Sequence, residues 1–161
     1  MKNKVFIILF LILISISFIA CSKKEDSILD YKTDYVGDNS KVDRILDMQK
    51  YPNNVSKKAI QILSDEEPYS LNVYLDGYEG LNEDNLFNNA AITFSLIGNL
   101  KNLNYLYLTE EDYKINNFSN PKHIAEFSRE EIEVKLKENN LSLEEISKDE
   151  ESLNKFLNLD M

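Results

Sequence analysis

The chain has one cysteine, one histidine and four glycines in 161 residues, and each shortage excludes a class of chemistry. A single thiol cannot form an internal disulfide, so a folded unit has to be held by an apolar core rather than by covalent staples. His123 is the only residue that could serve as the base of a hydrolase triad, and a zinc site would lack its usual His or Cys partners. Next to Lys122 and just after Pro121, it reads as a solvated loop histidine. Phosphate-cradling loops, dinucleotide fingerprints and serine nucleophile motifs are all absent, and so few glycines leave little room for them.

What is there begins at the N-terminus. Lys2 and Lys4 supply positive charge, and Val5 to Ala20 is apolar except for Ser15 and Ser17, which is the layout of a secretory signal peptide. The run is short of the roughly 20 residues that a transmembrane helix needs, so an uncleaved anchor is the weaker reading. Ordinary signal peptidase wants small residues at −3 and −1, which suits cleavage after Ser17 better than cleavage before Cys21. Phe18-Ile19-Ala20-Cys21 resembles a lipobox, with Phe18 in the position usually held by Leu. The resemblance implies cleavage before Cys21 and acylation of its thiol, palmitate included, leaving a lipid-anchored protein on the extracytoplasmic face of the cell membrane.

Residues 1–20 therefore read as signal peptide, 21–29 as a polar lipidated tether, and 30–159 as one domain of ordinary size. Removing the leader leaves 16 Lys+Arg against 28 Asp+Glu, a formal charge of −12. Such a surface repels phosphate backbones and anionic headgroups, which argues against nucleic acid as a partner and leaves attachment to the lipid.

The pattern predicts an α+β domain, a small antiparallel sheet packed against several helices. Ser40-Lys41-Val42-Asp43 approximates a capping box for a short helix that presents Val42, Ile45 and Leu46 and ends before Pro52. Ala59–Ser64 and Tyr69–Asp76 flank Asp65-Glu66-Glu67-Pro68 as a hairpin, the first arm being ambiguous with helix. Asn82 caps a longer helix in which Leu86, Phe87, Ala90, Ala91, Phe94 and Ile97 recur at three- and four-residue spacing. Leu103–Leu108 alternates as a strand, and capping boxes at Ser128 and Ser147 start two closing helices.

Several blocks carry a resemblance: Tyr31-Lys32-Thr33-Asp34-Tyr35-Val36-Gly37-Asp38-Asn39-Ser40-Lys41-Val42, Glu67-Pro68-Tyr69-Ser70-Leu71, Asn89-Ala90-Ala91 with Phe94-Ser95-Leu96-Ile97-Gly98-Asn99, and Phe127-Ser128-Arg129-Glu130. In that order they resemble a domain of unknown function, number 4825, found in lipoproteins of low-GC Gram-positive bacteria. Similar domains hang from the outer side of antirepressor-type membrane metalloproteases. The family carries no activity to transfer; its setting implies an envelope-facing sensing or binding role.

Val36–Lys41 reads first as a strand-to-helix corner, with Gly37 at positive φ. The sharper alternative has Tyr35, Asp38 and Asn39 lining a ligand cleft. Three acidic runs, Asp65-Glu66-Glu67, Glu110-Glu111-Asp112 and Asp149-Glu150-Glu151, could supply a glycosidase pair but more simply form solvated faces and helix starts. Asp76-Gly77-Tyr78-Glu79-Gly80 lacks the ligand spacing of a calcium loop and reads as a bend. Tyr105 and Tyr107 could share a recognition face, or line the edge of a half-buried sheet.

These observations lead to a membrane-tethered binding or sensory module for an envelope peptide, glycan or protein, with no cofactor, no metal and no catalytic residue expected. A small carboxylate-dependent hydrolase of envelope material is the alternative, and a solute receptor is third, because the chain is short for two lobes.

Overall fold

A computed structural model describes residues 26–159; the signal segment, the lipobox and Cys21 lie outside the described residues. Ser27 opens the fold with a capping box over the 3₁₀ turn Ile28–Tyr31: its hydroxyl accepts from the Leu29 N–H at 3.0 Å, and its own N–H donates to Asp30 at 3.2 Å. Ile28 and Leu29 pack on the core, so the folded unit reaches back into the stretch assigned to the tether.

Helix α1 spans Asn39–Asp47 and buries Val42, Ile45 and Leu46, the apolar stripe its spacing predicts. Strands β1 (Lys57–Leu63) and β2 (Ser70–Leu75) form the expected antiparallel hairpin, which settles the ambiguous first arm as strand. Helix α2 (Glu83–Leu96) follows, capped by Asn82. Strand β3 (Asn102–Tyr107) then pairs with β2 in parallel, and β4 (Lys122–Ser128) returns antiparallel to β3, giving the order β1-β2-β3-β4. The expectation of an antiparallel sheet is corrected here. A helix between β2 and β3 makes a crossover connection, which brings the second strand back in the same direction as the first.

Between β3 and β4 lies a short helix, α3 (Glu110–Lys114), and after β4 come α4 (Arg129–Glu138), α5 (Leu143–Ile146) and α6 (Glu150–Leu157). Three helical segments rather than two close the chain. Ser128 and Glu131 form the predicted capping box, but α6 is capped by Asp149, whose carboxylate accepts from the Ser152 N–H at 2.8 Å. Ser147 instead ends α5 and donates its hydroxyl to the Leu143 carbonyl. His123 lies on β4, not in a loop; it is solvent-facing, with its imidazole 3.7 Å from Glu126.

Helix α2 is the centre of the molecule. It is buried on nearly all sides from Leu86 to Leu96, because the inner sheet face, α1, α4 and α5 surround it. That inner face supplies Leu71, Val73, Leu75, Leu103, Tyr105, Ala125 and Phe127. On the outer face, Tyr74, Leu106 and Leu108 form a smaller cluster covered by Tyr113 and Phe118. The rest of that face is polar: Asn104 donates to Asn72 at 2.8 Å, and Asn72 to Gln61 at 3.0 Å. Tyr105 has no exposed surface, so it does not share a recognition face with Tyr107, which packs on Tyr78 with ring centroids 4.7 Å apart. The Asp76–Gly80 segment is a bend, with Gly80 at φ 72°.

Candidate functional site

Among the described residues, three of the four sequence blocks that carry the resemblance meet at one joint. Thr33 and Ile97 form a parallel bridge. Gly98 N–H donates to the Thr33 carbonyl at 2.9 Å and Asn99 N–H to that of Asp34 at 3.0 Å. A side chain at position 98 would press on the Asp34 Cα, 3.2 Å from a Cβ. Arg129 completes the joint. Its guanidinium donates to the carbonyls of Phe94, Ile97 and Leu100 at 2.9, 2.6 and 2.8 Å, satisfying acceptors that the end of α2 leaves open. Burial pulls the Arg129 pKa down and the neighbouring Glu133 carboxylate pushes it back up.

Tyr35, Asp38 and Asn39 sit beside this joint without converging. Asp38 is the N-cap of α1, accepting from the Lys41 N–H at 3.4 Å, a role expected of Ser40. Tyr35 is 68% exposed. Asn39 lines a shallow open groove against Ile60 and Ile62 of β1 that neither Tyr35 nor Asp38 reaches. Gly37 does not take a positive φ, and a Cβ there would meet nothing within 4 Å. The corner is made by the cap and by the Asn99 side chain, which accepts from the Val36 N–H, rather than by glycine freedom.

The three acidic runs belong to separate elements. Asp65-Glu66-Glu67 forms the β1–β2 turn, Glu110 opens α3 and pairs with Lys58 at the far end of β1, and Asp149 caps α6. Hydrogen bonds from Ser128 hold the Glu131 carboxyl below its ordinary pKa, and those from Ser152 do the same for Asp149. These are helix-start carboxylates. Among the described residues, no group of three or more His, Cys, Asp or Glu side chains is placed to hold a metal ion.

The best-formed concavity was not foreseen. It is a half-open cleft of about 770 Å³, within the size range of small-ligand sites, walled by the Ser27–Ile28 entry, the Met48–Pro52 loop after α1, one face of α2 and the inner face of α6. Ile28, Ile92, Leu153 and the half-exposed Leu157 give it an apolar lining, and its polar lining combines carboxamides with Asp26, Lys50 and Glu150. Gln49 donates to the Thr93 hydroxyl at 2.9 Å and accepts from Asn89 at 3.0 Å, while Asn89 also donates to the Lys50 carbonyl at 3.1 Å. That network ties the loop to α2 and fixes the wall. Tyr51, buried beside it, donates to the Leu46 carbonyl at 3.3 Å, and burial reinforced by Asp47 raises its hydroxyl pKa. Asn88 is different: half-buried in the cleft, its carboxamide makes no hydrogen bond to any described residue.

A signal for this cleft was present in the sequence. Asn85, Asn88, Asn89 and Ile92 recur at helical spacing within an otherwise apolar helix, so a row of amides shares one face. An amide row in a core helix has to be paired or to face an opening, and here Asn89 is paired while Asn88 faces the opening.

A family model described as domain of unknown function (DUF4825) matches residues 28–119, and the chain belongs to that family. The match takes in the first three sequence blocks; Phe127-Ser128-Arg129-Glu130 lies beyond it. No curated protein and no solved structure matches the chain.

Proposed function

We propose that this DUF4825 member is an extracytoplasmic lipoprotein of a low-GC Gram-positive envelope, anchored through a lipid on Cys21, and that its domain is a binding or sensory module rather than an enzyme. The observation that carries the binding half is the cleft of about 770 Å³, with a fixed amide wall, an apolar lining and the half-buried Asn88 carboxamide, which bonds to no described residue. Apolar lining with a few placed polar groups is the usual make-up of a small-ligand site. The anchoring half is supported by the basic start, the apolar run and the Phe18-Ile19-Ala20-Cys21 box. No helix of the described residues is long and apolar enough to cross a membrane, so in this reading attachment falls to the lipid.

Intact mass and membrane partitioning of the wild type beside Cys21→Ser test the anchor. The reading expects a chain that begins at an acylated Cys21 and leaves the membrane in the variant. Retention of Met1 in both forms, with both in the membrane, would overturn it.

A further inference from the structure

We propose that this chain forms a two-fold dimer in which the β1 edge of one copy pairs antiparallel with the β1 edge of a second, joining two four-stranded sheets into one. The interface uses neither Cys21 nor the large cleft.

Strands β1 and β4 are the outer strands of the sheet, and only β4 is protected along its length as free edges usually are. Lys122, His123 and Glu126 interrupt β4 with charge, and its register with β3 slips at Tyr105–Leu106. In β1 the slip falls at the start, between Lys57 and Ala59, where the Lys58 carbonyl accepts from the Tyr113 hydroxyl at 3.2 Å. From there Ala59-Ile60-Gln61-Ile62-Leu63 runs without charge, proline or further irregularity. Among the described residues, nothing outside the sheet bonds to the main chain of that stretch. Leu63 leaves 42% of its surface in water. A row of unspent N–H and C=O groups on an apolar strand is a template for another strand.

The order of residues along β1 and the turn after it points to a second copy as that strand. Ile60 and Ile62 face the inner core, and Ala59 faces the outer cluster. Antiparallel pairing about Gln61 sets Ile60 opposite Ile62 on the inner face and Ala59 opposite Leu63 on the outer, so apolar meets apolar on both faces. The same pairing brings Lys57 and Lys58 of one copy beside Asp65 and Glu66 of the other. Lys57 already pairs with Asp43 and Asp47, and Lys58 with Glu110, but Asp65 and Glu66 have no ion pair among the described residues. The contact gives these acids the basic neighbours they lack within their own chain, whereas a parallel second copy would set acid against acid. There is also room. An open groove of about 650 Å³ runs along Ile60 and Ile62, bordered by Gly37, Ser40 and Ser64, whose small size leaves space for the isoleucines of the second copy.

The test uses the full-length chain in detergent micelles, with protein mass read by sedimentation. A mass of two chains is expected, falling to one on dilution. A monomer at every concentration up to the millimolar range overturns the proposal and leaves the edge to a strand from another protein. Asp65→Lys/Glu66→Lys, in an exposed turn, is expected to weaken dimerisation at least about tenfold and to leave the unfolding midpoint of the dilute monomer unchanged. Undiminished dimerisation in that variant overturns the charge-matched pairing.

The register has its own readout. In a Cys21→Ser background no other thiol remains, so an introduced cysteine reports alone. Under copper–phenanthroline oxidation, Gln61→Cys is expected to form a disulfide-linked dimer, because position 61 meets its own counterpart with Cα atoms about 4.5–5.5 Å apart. Leu63→Cys lies about 13 Å from its counterpart in the same pairing and is expected to stay reduced. Equal cross-linking of the two variants, cross-linking of Leu63→Cys alone, or cross-linking of neither overturns the proposed pairing.

Discussion

The side-chain oxygen of Asn99 accepts the backbone N–H of Val36 at 2.7 Å, joining two segments that lie 63 positions apart. Val36 is fully buried, so its N–H has no access to water and depends on this one acceptor. The bond holds the Tyr35–Asp38 corner against the end of α2, so the two most distinctive sequence blocks form one joint.

Asn99→Ala should cost about 1–3 kcal/mol in urea unfolding, since it strands a buried donor rather than exchanging it for water. A change below about 0.5 kcal/mol would mean that solvent reaches Val36 after all.

Arg129→Lys should be similarly damaging although it keeps the charge. A lysine ammonium cannot reproduce the planar fork that reaches the Phe94, Ile97 and Leu100 carbonyls together. A loss of about 2 kcal/mol is expected by chemical denaturation, and a neutral result would show that the clamp is dispensable.

Asp38→Ala and Asn39→Ala separate the corner's two descriptions. Loss of the N-cap should cost about 1 kcal/mol, whereas Asn39, whose side chain bonds to no described residue, should change stability by under about 0.5 kcal/mol. Weakened binding of a probe peptide in Asn39→Ala, with stability intact, would return the site to that corner.

The elements that were legible in the sequence are those whose apolar spacing is a local property. Leu86 to Phe94 repeats at helical period and Leu71, Val73 and Leu75 at strand period, and both became what the period requires, while Ile97, expected on the same helix face, is its extended C-cap. Strand β4 was missed because Ala125 and Phe127 are its only fully buried positions and His123, Glu126 and Lys122 swamp the alternation. The parallel β2–β3 pair was missed for another reason: strand direction is set by the connection through α2, and no residue within either strand encodes it. The cleft is assembled from four separate segments, so its amide row had a visible spacing but no visible opposite wall.

Tyr105→Phe should stabilise the protein. The Tyr105 hydroxyl is fully buried with no hydrogen-bond partner among the described residues, while Thr93, a polar neighbour, spends its own proton on the Asn89 carbonyl at 2.8 Å and accepts from Gln49. Removing an unpaired buried hydroxyl should gain about 1 kcal/mol, measured as a raised urea midpoint at unchanged slope. A loss of comparable size would show that a partner, such as a trapped water, holds the hydroxyl in solution.

Acid should weaken the fold partly through Glu131 and Asp149. Their folded pKa values lie below the ordinary 4.5 and 3.8, because Ser128 and Ser152 donate to the ionised carboxylates. A depressed carboxyl stabilises the folded state fully above its unfolded pKa, and that contribution is lost as pH falls through the folded value. The urea midpoint of the wild type should therefore drop more steeply from about pH 6 to about pH 3 than that of Glu131→Gln/Asp149→Asn, which should start lower at neutral pH. Protonation of the remaining acids acts on both proteins alike, so the difference between the two curves isolates the two caps. Parallel curves would mean that these helix starts are not capped by ionised carboxylates in solution.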